Sequence, residues 1–147
     1  MKLDNLVRAG SLQPHVTSAA EVQLLLAAAR RNLADATVTV LSDESRYDLA
    51  FKAIVQCALV GLAVAGYSAP HASARHETVI QSLPLTLRVS WEDWMTLETL
   101  RRQRDAMDDS GGLVDAAAVD QCVARAQALY LHLERWLMLH RPELLDT

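Results

Sequence analysis

The residues with the most chemical capacity fall in one run, LETLRRQRDAMDDSGG, from Leu97 to Gly112. At about 100° per residue, Leu97, Arg101, Arg104 and Asp108 share one side of a helix, within roughly 60° of each other. Arginine therefore occupies the direction in which the apolar face points. The spacing also pairs Arg101 with Asp105 and Arg104 with Asp108 at i, i+4. Two readings follow. One is a structural ion-pair network at a bundle or dimer boundary, with an arginine folded onto Trp94 or Tyr130. The other is a clamp for phosphate or RNA, because guanidinium offers planar, permanently charged, bidentate donors.

Other candidates are sparser. His76 stands near the start of a short helix, where a lone histidine is more often an exposed or capping residue than a catalyst. His71, His132 and His140 have weaker claims, and His15 precedes any core. Trp91, Trp94 and Trp136 read as packing anchors. Cys57 and Cys122 both fall on apolar helical faces and are expected as buried, reduced thiols. There is no CxxC, no HExxH, no His/Cys cluster, no glycine-rich phosphate loop and no nucleophile elbow, so no metal and no cofactor is expected.

The elements that must position these residues are helices. The central one is Ser42 to Tyr67, SDESRYDLAFKAIVQCALVGLAVAGY. Ser42 is its N-cap, Asp43 and Glu44 suit the positive end of the helix dipole, and Gly66 suits a left-handed stop. Such a helix spans roughly 35 Å. Asp48, Lys52 and Gln56 form one wet stripe along its first half, and the apolar run from Cys57 to Ala65 needs cover on nearly every side. That run is half of the ~20 residues a membrane span requires, so a soluble bundle or dimer is expected and no membrane.

Before it, Lys2 to Leu12 forms a short helix ended by Gly10 and Pro14. Ser18 and Glu21 have capping-box spacing and open a second helix running to about Thr37. After it, a turn-rich link around Pro70 leads to a helix of about Arg75 to Ser82, with the segment around Pro84 extended or turned. Ser90 opens a helix to about Met107, Asp108 to Gly112 is a loop, and Asp115 caps a last long helix closed by Arg141 and Pro142. The fold class is all-α: an antiparallel four-helix up-down bundle with one or two short extra helices and no strand. The 147 residues make a single domain, with its core over about 18–140 and an N-terminal arm over 1–17. A net charge of −4 argues against a broad basic coat, though not against a local basic patch. The first ten residues, MKLDNLVRAG, lack the apolar region of a signal peptide, so a cytoplasmic location is expected.

Three segments, RYDLAFKAIVQCALVGLAVAGY, RHETVIQSLPLTL and LRRQRDAMDDSGG, together resemble the HEPN superfamily, over about Leu25 to Leu133. Its members open the central helix with Arg-[Phe/Tyr]-Asp-Leu-Ala-Tyr, matched by Arg46, Tyr47, Asp48, Leu49 and Ala50, with Phe51 in place of the last Tyr. His76, Thr78 and Ile80 match a Gly-His-His-x-Thr-x-Ile motif in which Arg75 replaces the first His. Arg101 and Arg104 match an Arg-x-x-Arg-Asn-x-x-x-Tyr end, with Asp105 for the Asn and Asp109 for the Tyr.

The resemblance implies a homodimer in which Arg104 faces a shared cleft, RNA as ligand and a nucleotidyltransferase-type antitoxin as partner. Many members are metal-independent ribonucleases with an Arg-x4-6-His motif. Here no His follows Arg104 at that spacing; the next is His132. The expectation is therefore an RNA-binding or partner-binding HEPN-like protein with weak or absent catalysis. Its binding residues are Arg101, Arg104 and Asp105. The alternatives are an endoribonuclease toxin using Arg104 with His76 or Asp108, and a pure dimerisation module that joins through the Cys57 to Ala65 surface.

Overall fold

The computed structural model describes residues 2–70 and 74–145 and is built from helices: α1 (Leu3–Arg8), α2 (Ala19–Ala36), α3 (Asp43–Ala65), α4 (Arg75–Thr86), α5 (Trp91–Ser110) and α6 (Ala116–His140). A 3-10 turn, Pro142–Leu144, follows α6. The expected His71 link lies outside the described residues.

The helix ends obey the capping chemistry read from the sequence. Ser42 accepts from the Ser45 amide at 3.1 Å, Ser90 from the Asp93 amide at 3.2 Å and Asp115 from the Ala118 amide at 2.8 Å. Gly66 takes φ 97° and Gly111 takes φ 68°, the left-handed stops that end α3 and α5. Only half of the expected capping box at Ser18 forms. Ser18 accepts from the Glu21 amide, but the Glu21 carboxylate turns instead to His15 at 2.8 Å and Thr17 at 3.2 Å.

Around α3 lie α2, α4, α5 and α6, so it forms the axis of the core. Tyr47, Phe51, Ile54, Val60 and Leu62 are essentially sealed. Arg46 donates to the Ala36 carbonyl at 2.8 Å, closing the end of α2, and Asn32 meets Gln56 at 2.8 Å; this reversed order shows α2 and α3 running in opposite senses. The Tyr47 hydroxyl donates to the Leu100 carbonyl at 2.6 Å and joins α3 to α5. Burial pushes the Tyr47 phenol well above its ordinary range, so it remains a neutral donor.

Two helices run past their expected ends, and one element is added. Helix α4 does not stop at Ser82 but continues through Pro84 to Thr86. Proline cannot donate to the Ile80 carbonyl one turn back, and the Trp94 indole supplies that bond at 3.1 Å. Helix α5 runs three residues past Met107, because Arg104 holds Asp108 at 2.7 Å and the Ser110 hydroxyl bonds back to the Ala106 carbonyl at 2.6 Å. A two-stranded ribbon also exists: β1 (Gln13–Pro14) pairs antiparallel with β2 (Tyr67–Ser68), and the His15 amide donates to the Gly66 carbonyl at 2.8 Å. Two residues per strand are too few to leave an alternation in sequence.

Helix α3 is long and apolar enough to cross a membrane, and 61% of its most apolar window is buried inside the fold. The Cys57 to Ala65 run is largely consumed there, with Cys57, Ala58, Val60, Gly61, Leu62 and Ala63 all buried. Leu59 and Val64 are half-buried and Ala65 is exposed, so these three are the positions of the run that the fold leaves uncovered. Both thiols are buried and free, and burial pushes each up to about 12. Trp91 is not a packing anchor either: it is 66% exposed and stacks on Trp94 at 4.8 Å.

Candidate functional site

The wet stripe of α3 forms one wall of a cleft. Asp48, Lys52 and Gln56 stand at one-turn intervals, Arg75 and His76 come from the start of α4, and Arg104 comes from α5. Leu25, Val55 and Leu59 give the cleft an apolar side, and its volume is about 370 Å³. Three side chains carry positive charge, Lys52, Arg75 and Arg104, against one lining carboxylate, Asp48. A protein of net charge −4 thus concentrates cations here.

Phe51 organises the interior of the site. Its ring is almost wholly buried, the Arg104 guanidinium lies 5.7 Å from its centroid, and the His76 imidazole meets it edge-on at 5.3 Å. The expected stacking of an arginine on Trp94 or Tyr130 is therefore replaced by Phe51, which lies one helical turn beyond Tyr47 on the inward face of α3. Tyr130 is taken by Arg30 instead, whose guanidinium donates to its hydroxyl at 2.8 Å.

Arg104 bridges two elements. Its Nε donates to Asp48 on α3 at 2.9 Å and one terminal nitrogen donates to Asp108 at 2.7 Å, leaving its side chain 20% exposed. Both carboxylates are more than half exposed, so water screens these pairs and each contributes at most about 1 kcal/mol. Lys52 and Arg75 have no acidic partner among the described residues. Burial lowers the pKa of His76 and the Arg104 charge lowers it further, which keeps the imidazole neutral near pH 7.

The sequence-derived residues divide between two places. Arg104 and His76 share the cleft, with Asp108 bound to Arg104. Arg101 lies outside its lining. Its guanidinium holds Glu98 through two bonds and Asp105 at 2.8 Å, and its side chain is only 13% exposed. The hydrogen bond from Arg101 in turn holds the Glu98 carboxyl below its usual range. Asp105 orients Arg101 and acts on His76 by charge alone. His132 is elsewhere, with Nε2 at 2.6 Å from the Leu87 carbonyl, His15 is paired with Glu21, and His140 packs on Trp136.

Sequence reasoning does not single out Lys52, Gln56, Arg75 or Phe51 as site residues. The period-four stripe on α3 is the available signal for the first two. Nothing periodic tells that the start of α4 closes over it. Among the described residues no group of three or more His, Cys, Asp or Glu could hold a metal ion. No known family pattern matches the chain, and no curated protein matches it significantly.

Proposed function

We propose that this chain is a HEPN-like RNA-binding protein that grips the phosphate backbone in the Arg104 cleft. The observation carrying this reading is the concentration of Lys52, Arg75 and Arg104 in one cleft of an otherwise acidic protein, with only Asp48 opposing them in the lining. Phosphate neutralisation by such groups is salt-sensitive and independent of sequence. In this proposal α2, α3, α5 and α6 form the antiparallel four-helix up-down bundle, two copies pair with their Arg104 side chains facing one groove, and the protein acts in the cytoplasm. A nucleotidyltransferase-type antitoxin is the partner protein proposed with it, from the HEPN resemblance alone.

The deciding measurement is RNA retention as a function of salt. The unmutated protein should show a log-log slope that falls in magnitude by about 2 when Lys52, Arg75 and Arg104 are all changed to Ala, at roughly 0.7 per phosphate contact for a single strand. Affinity that is absent, or indifferent to salt, overturns the proposal.

His76 favours a second reading, a metal-independent endoribonuclease. A neutral imidazole beside Arg104 is suited to take the proton of a 2′-hydroxyl. The freed oxygen attacks the adjacent phosphorus, the 5′-oxygen leaves with a proton from solvent, and Arg104 steadies the charge on the phosphorane. The proximity of Asp48 and Asp108 to Arg104 opposes that charge, so turnover is expected to be slow. Cleavage without added metal that disappears in both His76→Ala and Arg104→Ala supports this reading, and intact RNA at high enzyme concentration removes it.

A further inference from the structure

A second cleft lies between α5 and α6, away from Arg104. Its floor is apolar, made of Val89, Leu97 and Leu129, all buried. Its rim carries two guanidinium groups, Arg125 and Arg135, against one lining carboxylate, Asp93, and the two arginines with Leu129 and His132 follow one stripe of α6 at helical spacing. Arg135 has no acidic partner among the described residues. Arg125 has only a long, half-exposed contact with Asp93 at 3.2 Å. A pair of that kind contributes little and yields readily to a better anion. His132 is fixed by the Leu87 carbonyl at 2.6 Å, so its Nε2 is occupied and Nδ1 is the remaining polar atom of its ring.

The volume sets the size of an occupant. At about 170 Å³ the cleft is below the range of drug-sized sites, roughly 300–1,000 Å³. An apolar cavity of about 150 Å³ accepts a benzene ring. One ring, or an aliphatic body of the same bulk, therefore fills the floor. The charge sets its chemistry, since two guanidinium groups above an apolar floor complement one carboxylate on an apolar body. A bare inorganic phosphate would leave the floor unfilled.

We propose that the α5–α6 cleft binds a small organic monoanion of benzoate size, with its carboxylate on Arg135 and Arg125 and its apolar body against Leu97, Leu129 and Val89. This site is independent of the RNA reading, and neither stands or falls with the other.

Titration calorimetry on the full chain tests it, with sodium benzoate as probe, benzyl alcohol as the neutral analogue and inorganic phosphate as the anion without a body. Benzoate should bind at least about tenfold more tightly than benzyl alcohol, which lacks the charge-assisted bonds, and at least about tenfold more tightly than phosphate, which leaves the apolar floor unfilled. Arg135→Gln should weaken benzoate at least about tenfold and leave benzyl alcohol unchanged. Ala128 lines the same cleft on the exposed side of α6, so Ala128→Phe should fill it without touching the core and abolish binding of both. Circular dichroism melts establish that both variants are folded. The proposal is overturned if benzoate binds no better than benzyl alcohol, if phosphate competes with it equally, if folded Arg135→Gln binds benzoate as tightly as the unmutated protein, or if binding survives Ala128→Phe in folded protein.

Discussion

The indole of Trp94 donates to the carbonyl of Ile80 at 3.1 Å, the acceptor that Pro84 deprives of its intrahelical donor. Helix α4 tolerates an internal proline because a side chain of the next helix completes its backbone bonding. The same bond ties α5, which carries Arg104, to α4, which carries His76. The position of the cleft therefore depends on a contact made outside it.

Trp94→Phe should lower stability by about 1–3 kcal/mol, since it leaves a carbonyl without a partner as well as losing ring area. In a Pro84→Ala background the amide of residue 84 can bond Ile80 directly, and the same change should cost at least about 1 kcal/mol less. Denaturant titration of the four proteins measures the coupling. Equal costs in both backgrounds would show that the indole bond contributes nothing.

Most of the helices are legible in the sequence because their signals are local. Ser42, Ser90 and Asp115 cap where their residue types suggest, and the helices stop at Gly66 and Gly111. Pro84 misleads because its compensation comes from Trp94, and the end of α5 misleads because its last turn is held by side-chain bonds rather than by propensity. The site is half legible. Arg104 and its Asp108 partner follow from spacing, whereas Asp48 and His76 reach Arg104 only through the packing of three helices around Phe51. Arg101 has the same residue type and similar spacing, yet its guanidinium is spent on Glu98 and Asp105, a distinction set by the neighbours of each side chain.

Asp48→Asn separates a binding role of Arg104 from a structural one. It removes the negative charge of the one carboxylate lining the cleft and leaves Arg104 Nε with a neutral, weaker acceptor. RNA affinity at low salt should rise severalfold, while stability changes by less than about 1 kcal/mol because the pair is exposed. Filter binding and a thermal melt give the two quantities. Unchanged affinity would argue that Arg104 serves only to join α3 to α5.

The His76 titration carries a sign. Burial, and after it the Arg104 charge, depresses its folded pKa below the ordinary 6.5. Between those two values the unfolded chain binds more protons than the native one, so stability rises with pH through this window and levels off above 6.5. Acidification from about pH 7 to about pH 5 should therefore destabilise the unmutated protein more than His76→Gln. Arg104→Gln should move the His76 resonance titration upward by NMR. A downward move would reverse the assigned cause.

Gly61 of α3 faces the end of α4, and an added Cβ would stand 2.9 Å from the Thr86 hydroxyl and 3.0 Å from Leu87 Cγ. Alanine improves helix propensity by about 1 kcal/mol, yet forcing a methyl group into a packed core costs about 1–3 kcal/mol. Both neighbours are buried and neither is the far end of a flexible chain, so packing should win and Gly61→Ala should lower the melting temperature. Leu87→Ala opens space at the same point, and the methyl group introduced by Gly61→Ala would partly fill it. The double variant should then be more stable than the sum of the two single losses predicts, by at least about 0.5 kcal/mol for residues in contact. Strict additivity would mean that α3 and the end of α4 do not approach as closely as the Gly61 contacts require.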